Sequence, residues 1–260
     1  MISTLFHAVF YNPIYNALVA LVSVIPGGDV GVAVILITIV IRLILLPFSL
    51  SAARTQRAMR HLEPKLKALK EEHKGDKEKE AIATLELYRE AKVNPFASVL
   101  TVFIQIPVLL ALYWVFLYEP FTKIDAARLY SFTPVPHVIS LYFLGLIAVG
   151  SKSIWLALLA GVTQYFQAHF ALSGTQKPEA KDGSGKSSKG DFQHVMGMQL
   201  KFVFPFIIAA ISYTTGAAIA LYFITTNLVG ILQEWHVRRK LHAEFAERDA
   251  ALETTARSGA

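Results

Sequence analysis

The chain has 260 residues, of which 54% are hydrophobic and 17% charged, and its mean hydropathy is +0.45. A soluble domain carries about 25% charge, so this composition excludes an ordinary soluble protein and points to an all-α, multi-span integral membrane protein. The lack of cysteine excludes disulfides, thiolate nucleophiles and Cys-ligated metals, and the formal charge of +6 is explained by basic loops, with no nucleic-acid site predicted.

Residues 1–29 contain an apolar stretch interrupted by Asn12, Pro13 and Asn16 and lacking the positive start of a signal peptide. They are expected to form an extracytoplasmic amphipathic segment lying in the outer interface. Residues 30–50 carry one charge, Arg42, and at about 1.5 Å per residue can cross roughly 30 Å of hydrocarbon as a first span. Residues 51–95 are the one sizeable polar region. Helical composition over 56–73 and 77–92, an intervening Gly75-Asp76 turn, and stripes of Leu62, Leu66 and Leu69 and of Ile82 and Leu85 predict a cytoplasmic helical hairpin. With few large apolar residues, that hairpin is expected to be mobile and to act as a docking surface.

A second span is predicted over 96–118. In the outer loop 119–152, the apolar run 138–150 follows Pro134 and Pro136 and is too short to cross, so an interfacial or re-entrant element is expected. A third span covers 153–172 and opens near the interfacial anchor Trp155. Residues 173–196 are rich in Gly, Ser and Lys and read as a flexible loop. Its Gly183-Ser184-Gly185-Lys186-Ser187 run is not a phosphate loop, because the required earlier glycine is Ala180. The charge-free run 202–233 is too long for one span, and Tyr213-Thr214-Thr215-Gly216 reads as a turn within it. Spans at 197–212 and 216–233 follow, then a cytoplasmic tail over 234–260.

Lys and Arg fix the orientation. Residues 51–95 hold 11, residues 173–201 hold five and the tail holds five, against three on the other side (Lys123, Arg128 and Lys152). The positive-inside rule places the N-terminus outside and the C-terminus in the cytoplasm.

Within the spans, Arg42 is the outlier. A charge near the bilayer centre costs about 2.5–3.5 kcal/mol on insertion scales, and on a straight helix the cytoplasmic end of the first span is some 12 Å away, beyond side-chain reach. No Asp or Glu lies within any assigned span, so the arginine is expected to face a hydrated cavity. The other spans contribute polar stripes at the same cytoplasmic depth. They are Thr38 and Ser49 beside Arg42 on the first, Ser98, Thr101 and Gln105 on the second, Thr163, Gln164 and Gln167 on the third, and Tyr222, Thr226 and Gln233 on the fifth. The outer halves are almost wholly apolar. Together these residues describe a hydrophilic groove open to the cytoplasm and closed to the outside. A polar segment of a nascent protein entering there would stay hydrated, while burial of the following apolar segment, at about 25 cal/mol per Å², would drive insertion. No ATP site is needed.

The order Gly31…Thr38…Arg42…Leu46-Pro47, Glu63-Pro64-Lys65, Tyr88…Val93-Asn94-Pro95, Gln105-Ile106-Pro107…Leu112-Tyr113-Trp114 and Gly216…Leu221-Tyr222-Phe223-Ile224-Thr225-Thr226-Asn227…Leu232-Gln233 resembles the YidC-type membrane protein insertases (the YidC/Oxa/Alb superfamily), in a short bacterial form. The resemblance covers residues 13–235 and implies five transmembrane helices around a cytoplasm-facing hydrophilic groove, with Arg42 as its arginine and Gln105 lining it. It implies a bacterial plasma (inner) membrane protein that inserts and helps fold nascent membrane proteins without ATP hydrolysis, a cofactor or a metal, and that is not an enzyme. Implied partners are nascent membrane proteins and the lipid bilayer, with a Sec-type translocon, the ribosome and signal-recognition targeting components beyond them. Phe223 stands where the family often has Trp, which removes an indole N–H. Auxiliary binding through a large outer domain or a long basic tail is not expected, leaving Arg238, Arg239 and Lys240 as the ribosome-facing charges. A small-solute transporter or channel is the alternative, although it would need a path through the apolar outer half. An intramembrane protease is third, since His169 is the sole embedded histidine and lies near a span end.

Overall fold

The computed structural model describes residues 2–91, 96–118, 121, 124–172 and 199–258; the expected 173–196 loop and the Val93-Asn94-Pro95 motif lie outside them. The chain divides into two units, Met1–Ile44 with Gln105–Ile231 and Leu45–Ile104 with Leu232–Ala260.

In the first unit, α1 (Ile2–Phe6) passes through a π-helical turn (His7–Tyr11) into α2 (Asn12–Val24). Asn12, Pro13 and Asn16 do not interrupt the helix. Pro13 stands directly after the π-helical turn, where the hydrogen-bond ladder of the continuous helix is already irregular. Asn16 is buried and fully engaged: its amide donates to the carbonyls of Asn12 (2.9 Å) and Arg128 (3.0 Å), and its Oδ1 accepts from the Tyr130 N–H (2.7 Å) and the Thr133 hydroxyl (2.9 Å). Thr4–Val24 is long and apolar enough to cross a membrane, where the sequence suggests an interfacial segment. Leu18, Val19 and Val22 are buried in the same core as Val30, Ala33, Val34 and Ile37 of α3 (Val30–Ile44).

The connection from α2 to α3 depends on backbone that only glycine adopts readily. Gly27 and Gly28 have φ of 77° and 64°. A Cβ on Gly28 would lie 2.0 Å from the Val138 carbonyl oxygen. Asp29 then caps α3, its Oδ1 accepting from the Val32 N–H (3.0 Å), while Oδ2 accepts from the Leu144 N–H (2.7 Å).

Residues 138–150, the expected interfacial or re-entrant element, form a hairpin of β1 (Tyr142–Phe143) and β2 (Ile147–Ala148), with Tyr142 opposite Ala148, so the chain is not strictly all-α. Leu144 and Gly145 turn the hairpin at φ of 50° and 73°. Asp29 holds the turn, and Ser140 exchanges backbone hydrogen bonds with Gly28 and Val30. A short apolar run with a glycine in its middle is satisfied by pairing rather than by a helical turn.

Further on are α6 (Phe96–Tyr118), α7 (Ile154–Leu172), α8 (Phe204–Thr215) and α9 (Ala217–Ser258). A Cβ on Gly161 of α7 would lie 3.0 Å from the Pro205 carbonyl and 3.1 Å from Ala209 Cβ of α8. This is the close helix approach that small residues permit where lipid removes the hydrophobic drive for association. The expected turn over Tyr213–Gly216 contracts to Gly216 alone, at φ 108°. Thr214 and Thr215 stay helical by donating their hydroxyls to the carbonyls of Ala210 and Ile211. The first N–H groups of α9 are met by the hairpin's end, Ala217 donating to Ser151 (2.9 Å) and Ala218 to Val149 (2.8 Å). From there α9 continues to Ser258, so the expected fifth span and the tail are one helix.

In the second unit, α4 (Leu46–Glu72) and α5 (Lys77–Glu90) pack together across a turn at Gly75, φ 106°. Asp76 caps α5 by accepting from the Lys79 N–H (3.1 Å). That bond and the Lys79 ammonium hold its carboxyl below the usual carboxylate range, whereas partial desolvation of the half-buried Tyr88 pushes its phenol up. No residue of α5 is buried. The expected first span 30–50 is broken at Leu45 (φ −82°, ψ −4°), with α4 starting at the next residue and Pro47 in its first turn. Proline lacks an N–H and its ring crowds the carbonyl of Leu43, which explains the break.

Candidate functional site

Arg42 lies in the last turn of α3, two residues before that helix ends. Distance from its helix end therefore does not isolate Arg42, and its polar surroundings come from neighbouring helices. Its side chain is half-buried and interacts electrostatically with Tyr222 of α9. Tyr222 is 2% exposed, and its hydroxyl accepts a hydrogen bond from Gln105 Nε2 of α6. Three of the residues singled out by sequence, on three different helices, thus meet in one cluster. Buried polar groups are costly unless they find partners, so the tyrosine hydroxyl, acting between an amide donor and a cation, ties α3, α6 and α9 at one level. Phe223 packs edge-on against Tyr222 at 5.3 Å between centroids.

The remaining expected residues fall into different groups. Thr38 is 1% exposed and donates its hydroxyl to the Val34 carbonyl of its own helix (2.6 Å). Thr226, one turn beyond Tyr222, is buried. Gln164 and Gln167 are half-buried on α7. Thr163 serves the α7–α9 contact: its hydroxyl donates to Leu159 and Ala160 carbonyls and accepts from Asn227 Nδ2 (3.2 Å). Ser49 belongs to the second unit and donates to the Leu45 carbonyl (3.1 Å). The helix break at Leu45 removes the continuous face that its spacing from Arg42 implied. The side chains of Ser98 and Thr101 lie outside the described residues, and Gln233 falls in the second unit. His169 is exposed and stacks on Tyr165. Among the described residues, no three His, Asp or Glu are grouped as a metal site.

Two further residues of α9 were not among the candidate site residues. Asn227, 1% exposed, links α9 to α7 through Thr163 and the Ala160 carbonyl. Gly230, one turn further, is covered by Gln167, whose Nε2 would lie 2.8 Å from a Cβ at that position. An amide in the middle of an apolar helix was the available signal for Asn227; nothing in the sequence marks Gly230.

A family model described as 60Kd inner membrane protein matches residues 21–244. The membrane protein insertase YidC of Fusobacterium nucleatum subsp. nucleatum is 29% identical over 213 residues, which is 82% of this chain and 88% of that protein. The protein of the same name from Ectopseudomonas mendocina is 30% identical over 225 residues, 86% of this chain but 33% of that longer relative. Among solved structures, a crystal structure of active YidC insertase with its first transmembrane domain resolved aligns with a TM-score of 0.54 at 22% identity, over 87% of this chain and 45% of that one. At that identity the likeness is one of fold.

Proposed function

The chain belongs to the 60Kd inner membrane protein family, and from that premise we propose that it is an insertase that moves nascent membrane proteins from the cytoplasm into the bacterial inner membrane. In this reading five transmembrane helices enclose a hydrophilic groove open to the cytoplasm, the N-terminus is outside and the C-terminus is inside. The observation that carries it is the cluster of Arg42, Gln105 and Tyr222, which gathers a cation and two polar groups from three helices. Half-buried Gln164 and Gln167 extend the polar lining.

Function follows from the dielectric difference. A polar or acidic segment leaving the cytoplasm enters a hydrated space with a positive charge and loses little solvation. Its apolar neighbour is then free to slide between helices into lipid, releasing about 25 cal/mol for each Å² removed from water. Hydrophobic transfer supplies the work, so no nucleotide is consumed. The α4–α5 hairpin, basic and without buried residues on α5, captures substrates or targeting partners, and a Sec-type translocon, the ribosome and signal-recognition components act beside it.

The test uses the absence of cysteine. Single cysteines along 34–46 and 98–109 are probed with a membrane-impermeant thiol reagent from each side. Labelling beside Arg42 and Gln105 from the cytoplasmic side alone is expected, and labelling from both sides would replace the insertase with a channel. With that geometry established, Arg42→Ala is expected to impair insertion of substrates with acidic outer segments, and Arg42→Lys to keep part of the activity, because charge outweighs bidentate geometry here. Normal insertion by Arg42→Ala would refute the role of the charge.

A further inference from the structure

Away from the polar cluster, a cavity of about 380 Å³ is lined by His7, Tyr11, Trp114, Tyr118 and Arg128. We propose that it holds the head group of a zwitterionic phospholipid, with the phosphate on Arg128 and the ammonium against the aromatic rings. Its walls come from three places. His7 and Tyr11 are four apart on the N-terminal helix, Trp114 and Tyr118 are four apart at the end of α6, and Arg128 closes a short 3-10 turn. The walls are held in place independently of any ligand. Phe6 packs edge-on to Trp114 at 4.9 Å, His7 lies 5.0 Å from Tyr11, and the Arg128 carbonyl accepts from buried Asn16.

The charge balance selects the ligand. Arg128 Nε donates to Asp125 Oδ2 at 3.2 Å, so the guanidinium is oriented and its charge is paired with a carboxylate. A purely anionic head group gains little from such a pair. A phosphate beside an ammonium matches it, because guanidinium recognises phosphate and ring faces attract a cation. The volume lies at the small end of ligand sites, suited to a head group. The same helices expose Leu5, Val9 and Leu117, which meet acyl chains, and Trp and Tyr favour the level of head groups. The source is therefore the membrane rather than a soluble metabolite. The proposal requires only a membrane location and stands or falls apart from the insertase reading.

The full chain is purified in detergent and its lipid binding followed by native mass spectrometry. The probes are a phosphatidylethanolamine, a phosphatidylglycerol with the same acyl chains, and soluble phosphoethanolamine. One phosphatidylethanolamine per chain is expected, bound in preference to phosphatidylglycerol. Arg128→Gln is expected to weaken it about tenfold or more, the loss of a charge-assisted hydrogen bond. Tyr118→Ala removes an exposed ring without opening the core and is expected to weaken it about two- to fivefold. Circular dichroism verifies folding, and if one variant unfolds the other decides. Unchanged retention in a folded variant, equal binding of phosphatidylglycerol, or displacement by an equal concentration of phosphoethanolamine would each overturn the proposal.

Discussion

The contact between Gln105 and Tyr222 offers a direct measure of how far the polar cluster holds the helices together. Tyr222→Phe removes only the hydroxyl, which accepts from Gln105 Nε2 and interacts with Arg42. Gln105→Leu removes the donor while keeping its bulk. Side-chain hydrogen bonds between membrane helices average about 0.6 kcal/mol and reach about 1.7. Tyr222 is only 2% exposed, so water does little to replace a lost partner, and a coupling of about 1–1.7 kcal/mol is expected. Each single variant also changes what Arg42 meets, and the double-mutant cycle subtracts that part. Equilibrium unfolding in mixed micelles, followed by tryptophan fluorescence, supplies the four free energies. A coupling no larger than about 0.3–0.5 kcal/mol, the scatter of independent sites, would refute the view that this contact joins α6 to α9.

Gly28→Ala tests the connection between α2 and α3. Its φ of 64° is unfavourable for alanine, and the new Cβ would meet the Val138 carbonyl oxygen at 2.0 Å, forcing the backbone that pairs Gly28 with Ser140 to move. A loss above about 2 kcal/mol is expected in thermal denaturation, and a near-neutral result would show that this turn is not held as described. Asp76 sets a pH dependence in the α4–α5 hairpin. Its carboxyl is held below the ordinary range by the Lys79 N–H and ammonium, so the cap is fully present above about pH 4 and is lost as pH falls through the depressed folded value. Hydrogen exchange in the first turn of α5, corrected for its intrinsic rate, is expected to rise on acidification in the native protein and to be pH-independent in Asp76→Ala. Equal behaviour of the two would remove the cap from the account.

The residues of the polar cluster were legible because each is an exception to its surroundings. An arginine, a glutamine and a tyrosine in long apolar runs carry their own signal, since lipid penalises them unless they meet something. Their partners were not legible, because periodicity places a residue on a face and says nothing about which helix lies opposite. Thr163 shows the difference. Its spacing with Gln164 and Gln167 made it part of a groove lining, but its hydroxyl is engaged with Asn227 and two carbonyls of its own helix. The break before α4 was open to anticipation from Pro47 alone, and the straight span assumed in its place put Ser49 on a face that does not continue. Asn16 misled in the opposite sense. Read as an interruption, it makes four hydrogen bonds, two of them to the Arg128 carbonyl and the Tyr130 N–H of a loop more than a hundred residues away. A polar side chain in an apolar helix is therefore weak evidence about where that helix ends. It is stronger evidence that a distant backbone has unpaired groups to satisfy at that point, and the loop carrying Arg128 is held to α2 for that reason.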